Sequence, residues 1–152
     1  SLTTREKKII RKVWDDLKAN DDIEHVGVDA FMRVFKNVPQ TLDFFMKFKY
    51  HTLDKLATSD TLKEHAASVT SFIELAIDNM DDAVTFSKIL REEGKNHLKR
   101  QIPEIFMEEV TLSFRQAIEK NYTLHWKLSH SVAWRKFFEI FLLHFLDKSI
   151  TP

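Results

Sequence analysis

Helix breakers are almost missing from this sequence: two glycines and three prolines in 152 residues. Strand-like alternation is scarce, and apolar residues recur at three- and four-residue intervals nearly everywhere, the spacing of helix faces. Thr3 or Thr4 can cap a first helix with Ile9, Ile10, Val13, Trp14 and Leu17 on its inner side. Asp21 or Asp22 opens a second, carrying Val26, Val28, Phe31, Val34 and Phe35. Pro39 breaks it and fits the first turn of a short helical piece. Residues 46–58 read as a corner with one helical turn near Leu53–Leu56. Ser59 or Asp60 caps a helix to about Asn79, and another spans 82–100. Pro103 suits the first position of the next, with Phe106, Val110, Phe114 and Ile118 inward. The last, over about 127–148, carries Val132, Trp134, Phe137, Phe138, Phe141, Leu142, Phe145 and Leu146. That is too apolar for one face and predicts burial against several neighbours.

Composition narrows the class. The length suits one domain with a full core, and no repeat or linker interrupts residues 1–152. Hydrophobic residues make up 43%, including 13 phenylalanines. This aromatic bulk exceeds the needs of a simple bundle and suits a core that also walls a large apolar ligand. With 23 basic and 23 acidic residues interspersed, no basic stripe exists to capture nucleic acid or an anionic membrane. The absence of cysteine excludes disulfides, thiolate metal sites and a cysteine nucleophile, and fits a reducing compartment. The chain starts Ser-Leu-Thr-Thr-Arg-Glu without a signal-type apolar run, and no apolar stretch is long enough to span a membrane. The expected location is cytoplasmic.

Two of the seven histidines stand out. His65 lies in Leu62-Lys63-Glu64-His65-Ala66-Ala67-Ser68-Val69 and His97 in Gly94-Lys95-Asn96-His97-Leu98-Lys99. The stretch between them completes one helix, turns, and runs most of a second. Two antiparallel helices can then hold two imidazoles face to face across a flat group. His125, His130 and His144 show no metal-ligand spacing, and His25 and His51 read as surface residues.

The order and spacing of these elements resemble the globin family along essentially the whole chain. Trp14 resembles the tryptophan of the first globin helix. Gly27, with Ala66 opposite, falls where that family lets two helices cross closely. The run Asp29-Ala30-Phe31-Met32-Arg33-Val34-Phe35-Lys36-Asn37-Val38-Pro39 is similar to the globin segment ending in the proline of the third helix. Phe45 and Phe48 match the two corner phenylalanines, His65 the distal position, Val69 the distal-pocket valine, His97 the proximal ligand, and Pro103 the start of the following helix. The resemblance implies an all-α globin fold of about eight helices packed around haem b, in a single domain.

It also implies roles. His97 would bind the iron through one ring nitrogen and donate its other N–H to a backbone carbonyl or a hydroxyl. His65 would donate a hydrogen bond to oxygen or serve as a sixth iron ligand. Phe45, Phe48, Val69 and Leu90 would line the haem, and Lys47, Lys99 and Arg100 would meet its propionates. Phe31, where myoglobins carry leucine, resembles the neuroglobin pattern, as does the pair Ala133-Trp134. Ser68 and the lack of a cysteine pair depart from that pattern. So does Glu93, one turn before His97, where the family usually has leucine. Either Gly94 loosens the helix so that Glu93 swings out, or Leu90 or Ile89 fills that space.

The implied function is reversible, non-catalytic binding of oxygen and other diatomic gases for intracellular storage or transport. Two readings stay open beside it. One is a haem enzyme acting on nitric oxide or nitrite, which needs a reductase. The other is a redox or gas sensor in which oxygen displaces His65. The apolar excess of the last helix leaves a homodimer open.

Overall fold

A computed structural model describes residues 1–45 and 51–147. Among them are seven α-helices and one 3₁₀ helix, with no strand. Helix α1, Thr4–Ala19, begins in a reciprocal cap: Thr3 Oγ1 accepts from the Glu6 N–H at 3.1 Å, and Glu6 Oε1 accepts from the Thr3 N–H at 2.8 Å. Its buried face is Ile10, Val13, Trp14 and Leu17, as the spacing predicts, while Ile9, also expected inward, is half-buried.

Helix α2, Ile23–Asn37, buries Val26, Gly27, Ala30, Phe31, Val34 and Phe35. Val28 is only half-buried, and Ala30 takes the inward place. The 3₁₀ helix Pro39–Phe44 follows with Pro39 in its first turn. Thr52 caps the short α3, Leu53–Ala57, which contributes Leu56 to the core. Ser59 caps α4, Asp60–Asp78, which buries Leu62, Ala66, Thr70, Ile73, Ala76 and Ile77. Asp82 caps α5, Ala83–Lys99, through the Thr85 N–H at 3.0 Å.

Helix α6, Glu104–Asn121, starts one residue after the sequence expectation. Pro103 is the cap, with φ −62° and ψ 143°, so Glu104 takes the first helical position. The final helix, α7, runs Leu128–Phe145 and buries Ala133, Trp134, Phe137, Phe138, Phe141 and Phe145. Val132, Leu142 and Leu146 are half-buried.

Packing follows from small residues at two crossings. Helix α2 crosses both α6 and α4, and α5 packs on α7. A Cβ on Gly27 would lie 3.0 Å from Ala66 Cβ and 3.1 Å from Thr70 Cγ2, so the missing side chain sets the α2–α4 approach. At the α5–α7 crossing the contact is closer. A Cβ on Gly94 would overlap the Phe145 carbonyl oxygen and lie 2.8 Å from its carbonyl carbon. Gly94 therefore does not loosen α5, which runs unbroken through it. It admits the main chain of α7.

The chain then turns sharply. Gln101 adopts φ 59°, a left-handed conformation uncommon for a residue with a side chain. This lets the Ile102 N–H reach the His97 carbonyl at 3.4 Å and the Gln101 N–H reach that of Leu98 at 2.9 Å, the paired bonds that close a helix C-terminus. The turn swings Ile102 back toward the space between α4 and α5.

Candidate functional site

That space is a cavity of about 850 Å³. Its deep walls are aromatic and aliphatic: Phe31 from α2, Val69 and Phe72 from α4, Phe114 from α6, and Phe138, Phe141 and Phe145 from α7. Exposed Glu64, Ser68 and Arg100 also line it and mark the mouth. Phe106 and Val110 face this space as well. This explains why two residues expected in the core of α6 are only half-buried.

Two imidazoles line the cavity from different helices, His65 on α4 and His97 on α5. His65 is flanked by rings. Its centroid lies 4.8 Å from that of Phe31 and 4.9 Å from that of Phe45, both edge-on. Phe31 in turn meets Phe45 at 6.3 Å and Phe114 at 5.7 Å. These edge-to-face contacts hold the distal wall in one arrangement.

His97 is held differently. Its Nδ1 lies 3.0 Å from the main-chain carbonyl oxygen of Glu93, one turn earlier. A carbonyl can only accept, so Nδ1 carries a proton, and in the neutral tautomer Nε2 is the nitrogen with the lone pair. On its other side the imidazole meets the Phe145 ring edge-on at 4.9 Å. The ring plane is thus fixed from two directions.

The donor set and walls suit one type of ligand. A large apolar cavity with an oriented imidazole matches a flat hydrophobic macrocycle that needs an axial nitrogen. The globin family's sequence model matches residues 28–144, most of the chain. The chain belongs to the globin family. Globins are haem-binding proteins, and this one shares their helical architecture around a pocket. It is 30% identical over 100 residues to cytoglobin-1 of Oryzias latipes, covering 65% of this chain and 55% of that protein. Globin-1 of Mordacia mordax is 34% identical over 97 residues, 63% of each chain. Hemoglobin subunit alpha of Lycodes reticulatus is 30% identical over 99 residues, covering 65% of this globin and 66% of that subunit. In each of these three, the match spans less than two thirds of the relative's own length.

The globin's remaining site expectations divide. Phe31, Phe45, His65, Val69 and His97 all line the cavity, as does Arg100. Lys47 and Phe48 lie outside the described residues. Leu90 is fully buried in the core and is not part of the lining. Lys99 is exposed and does not line the cavity either, because α5 turns its neighbour Arg100 there. Neither Leu90 nor Ile89 replaces the usual leucine beside the proximal histidine. Glu93 itself lines the cavity. The contact sequence reasoning missed is Phe145 against His97. The apolar excess of the last helix signalled a second neighbour for α7 but not which residue it served.

No helix among the described residues is long and apolar enough to cross a membrane.

Proposed function

We propose that residues 1–152 form one globin domain that binds haem b and serves reversible oxygen storage or transport inside cells, without catalysis. The orientation of His97 carries this reading: Nδ1–H is committed to the Glu93 carbonyl at 3.0 Å, so Nε2 is the nitrogen left to bind iron. When bound, ferrous haem supplies a reversible coordination position for a diatomic gas. The chain's own residues do the rest. His97 holds the group from α5. Phe31, Phe45, Phe72 and Phe114 exclude water from the distal space. His65 can present an N–H to a polar ligand held opposite His97, and a neutral N–H donor there favours a ligand that gains negative charge. Arg100, at the mouth, is placed to meet a propionate.

A second reading differs only in His65. Because both imidazoles line the same cavity, His65 can also serve as the sixth iron ligand before a gas enters. The absorption spectrum of the ferrous, ligand-free protein separates the two. One broad visible band means a single axial imidazole, whereas sharp, split bands mean both are bound. No Soret band after loading with haem would overturn the haem reading as a whole. A negligible rate of nitric oxide turnover with a reductase is expected of a non-catalytic globin, and rapid turnover would overturn that part.

A further inference from the structure

Glu93 stands where an apolar residue usually lies against haem, and its side chain is not directed away from the site. Its Oε1 is 3.5 Å from His97 Nδ1, while its own main-chain carbonyl is 3.0 Å from the same atom. The carbonyl takes the hydrogen bond, and the carboxylate stands beside the same N–H at ion-pair distance. The side chain is about one third exposed, at 34%, so the carboxylate keeps contact with water and avoids the cost of full burial. Among the described residues His97 is the one ion-pair partner found for Glu93. Among the described residues, no lysine or arginine is at ion-pair distance from the carboxylate. Phe145 packs on the imidazole at 4.9 Å, and Gly94 keeps α5 pressed on that part of α7. Turning its Nδ1 away from Glu93 would cost the ring its hydrogen bond to the carbonyl.

We propose that Glu93 is a positioning residue acting through His97, its carboxylate charge standing beside the Nδ1–H that the backbone carbonyl holds, so that the imidazole becomes a stronger electron donor to the iron. The inference rests on His97 being the axial ligand. A neutral carbonyl orients a ligating histidine; a negative charge beside the same proton also raises the basicity of the far nitrogen, in the direction of carboxylate–histidine–metal arrangements. A more strongly donating axial ligand stabilises ferric over ferrous iron and stiffens the iron–nitrogen bond. Hydrogen bonding beyond the ligand is one of the levers a haem protein has over its metal. Glu93 thereby gives this globin a proximal side that leans toward the oxidised state.

The test uses haem-loaded protein with His65→Leu as background, so that the ferrous iron has one axial imidazole. Resonance Raman reads the iron–histidine stretching band, and potentiometry reads the ferric/ferrous midpoint. Glu93→Gln keeps the side chain's size and removes its charge; Glu93→Leu removes the polar group. Both are expected to move the stretching band to lower frequency and the midpoint to more positive potential, Leu at least as far as Gln. Both are expected to keep haem bound, since the backbone carbonyl still orients His97. A merely structural Glu93 would alter melting temperature or haem retention and leave band and midpoint in place, which would overturn the proposal alone. Failure of the background protein itself to bind haem through His97 would overturn the reading beneath it.

Discussion

The two walls of the cavity are built on different principles. On the distal side, α2 and α4 approach through a glycine that faces two side-chain carbons most closely, Ala66 Cβ and Thr70 Cγ2, with the Ala66 carbonyl oxygen at ordinary contact distance behind them. The histidine there is flanked by the rings of Phe31 and Phe45. On the proximal side, α5 and α7 approach through a glycine that faces a main-chain carbonyl, and the histidine is hydrogen-bonded to another main-chain carbonyl. The Thr70 side chain can shift by tenths of an ångström, whereas the Ala66 Cβ and any helix backbone move only as a body; at Gly27 the approach is 3.0 Å, at Gly94 an outright overlap. The proximal wall is therefore the rigid reference and the distal wall the adjustable one. That division suits a pocket that must hold a group on one side and admit a ligand on the other.

Substitution of the glycines breaks this comparison most severely. Gly94→Ala forces α7 away from α5 and is expected to cost about 3 kcal/mol or more, or to prevent folding. In Gly27→Ala the squeeze on Ala66 and Thr70 opposes a gain of about 1 kcal/mol in helix propensity, leaving stability within about 1 kcal/mol of the parent. Chemical denaturation of both variants measures the difference. Equal losses would mean that the two crossings are equally rigid.

The histidines should differ in the same sense. His97→Ala is expected to abolish stable haem retention, and His65→Ala to keep haem while changing its spectrum and ligand kinetics. Transfer of haem to an apoprotein acceptor reads the loss. Because haem binds only the folded chain, its removal should also lower the melting temperature by mass action.

Acid probes the proximal wall through a second bridge between α5 and α7, where Ser87 Oγ lies 3.2 Å from His144 Nδ1. Burial holds His144 below the ordinary histidine value of 6.5; Arg91 adds to the shift and Asp147 opposes it. The unfolded chain thus takes up this proton more readily than the folded one. Stability should be unaffected by His144 above about pH 6.5 and fall as the pH drops below that value. His144→Gln should flatten this decline in denaturation curves taken at successive pH values. Burial, with Lys127 and His125, also lowers His130, so a residual slope remains. A smaller change is expected at the turn after α5. Gln101→Gly relieves the left-handed conformation at φ 59° and should stabilise by about 0.5–1 kcal/mol, an increase readable as a higher denaturation midpoint.

How legible these features were depends on which atoms carry them. Helix faces such as Ile10-Val13-Trp14-Leu17 were readable because burial of an α-helix face repeats with the helix period. Gly27 was readable because its partner, Ala66, is itself a small side chain in the sequence. The role of Gly94 was not, because it meets a carbonyl oxygen that every residue possesses, on a helix far along the chain. The two imidazoles were visible from spacing and family likeness together. The use of Glu93 was not, since spacing shows that residues 93 and 97 share a helix face but not that the carboxylate stays beside the ring. Pro103 fell one position off because its φ of −62° fits a helix while its ψ of 143° leaves it extended, a distinction the residue type does not carry.

The carbonyl at the Gly94 crossing also limits how this chain can change over generations. A larger residue at 27 could be accommodated by a smaller one at 66 or 70, so those positions can vary as a set. No replacement at 145 makes room for a side chain at 94, because the obstructing atoms are not part of any side chain. Position 94 has no partner that can rescue it. The helix bearing His97 is tied to the end of α7 by a constraint that paired substitutions cannot renegotiate.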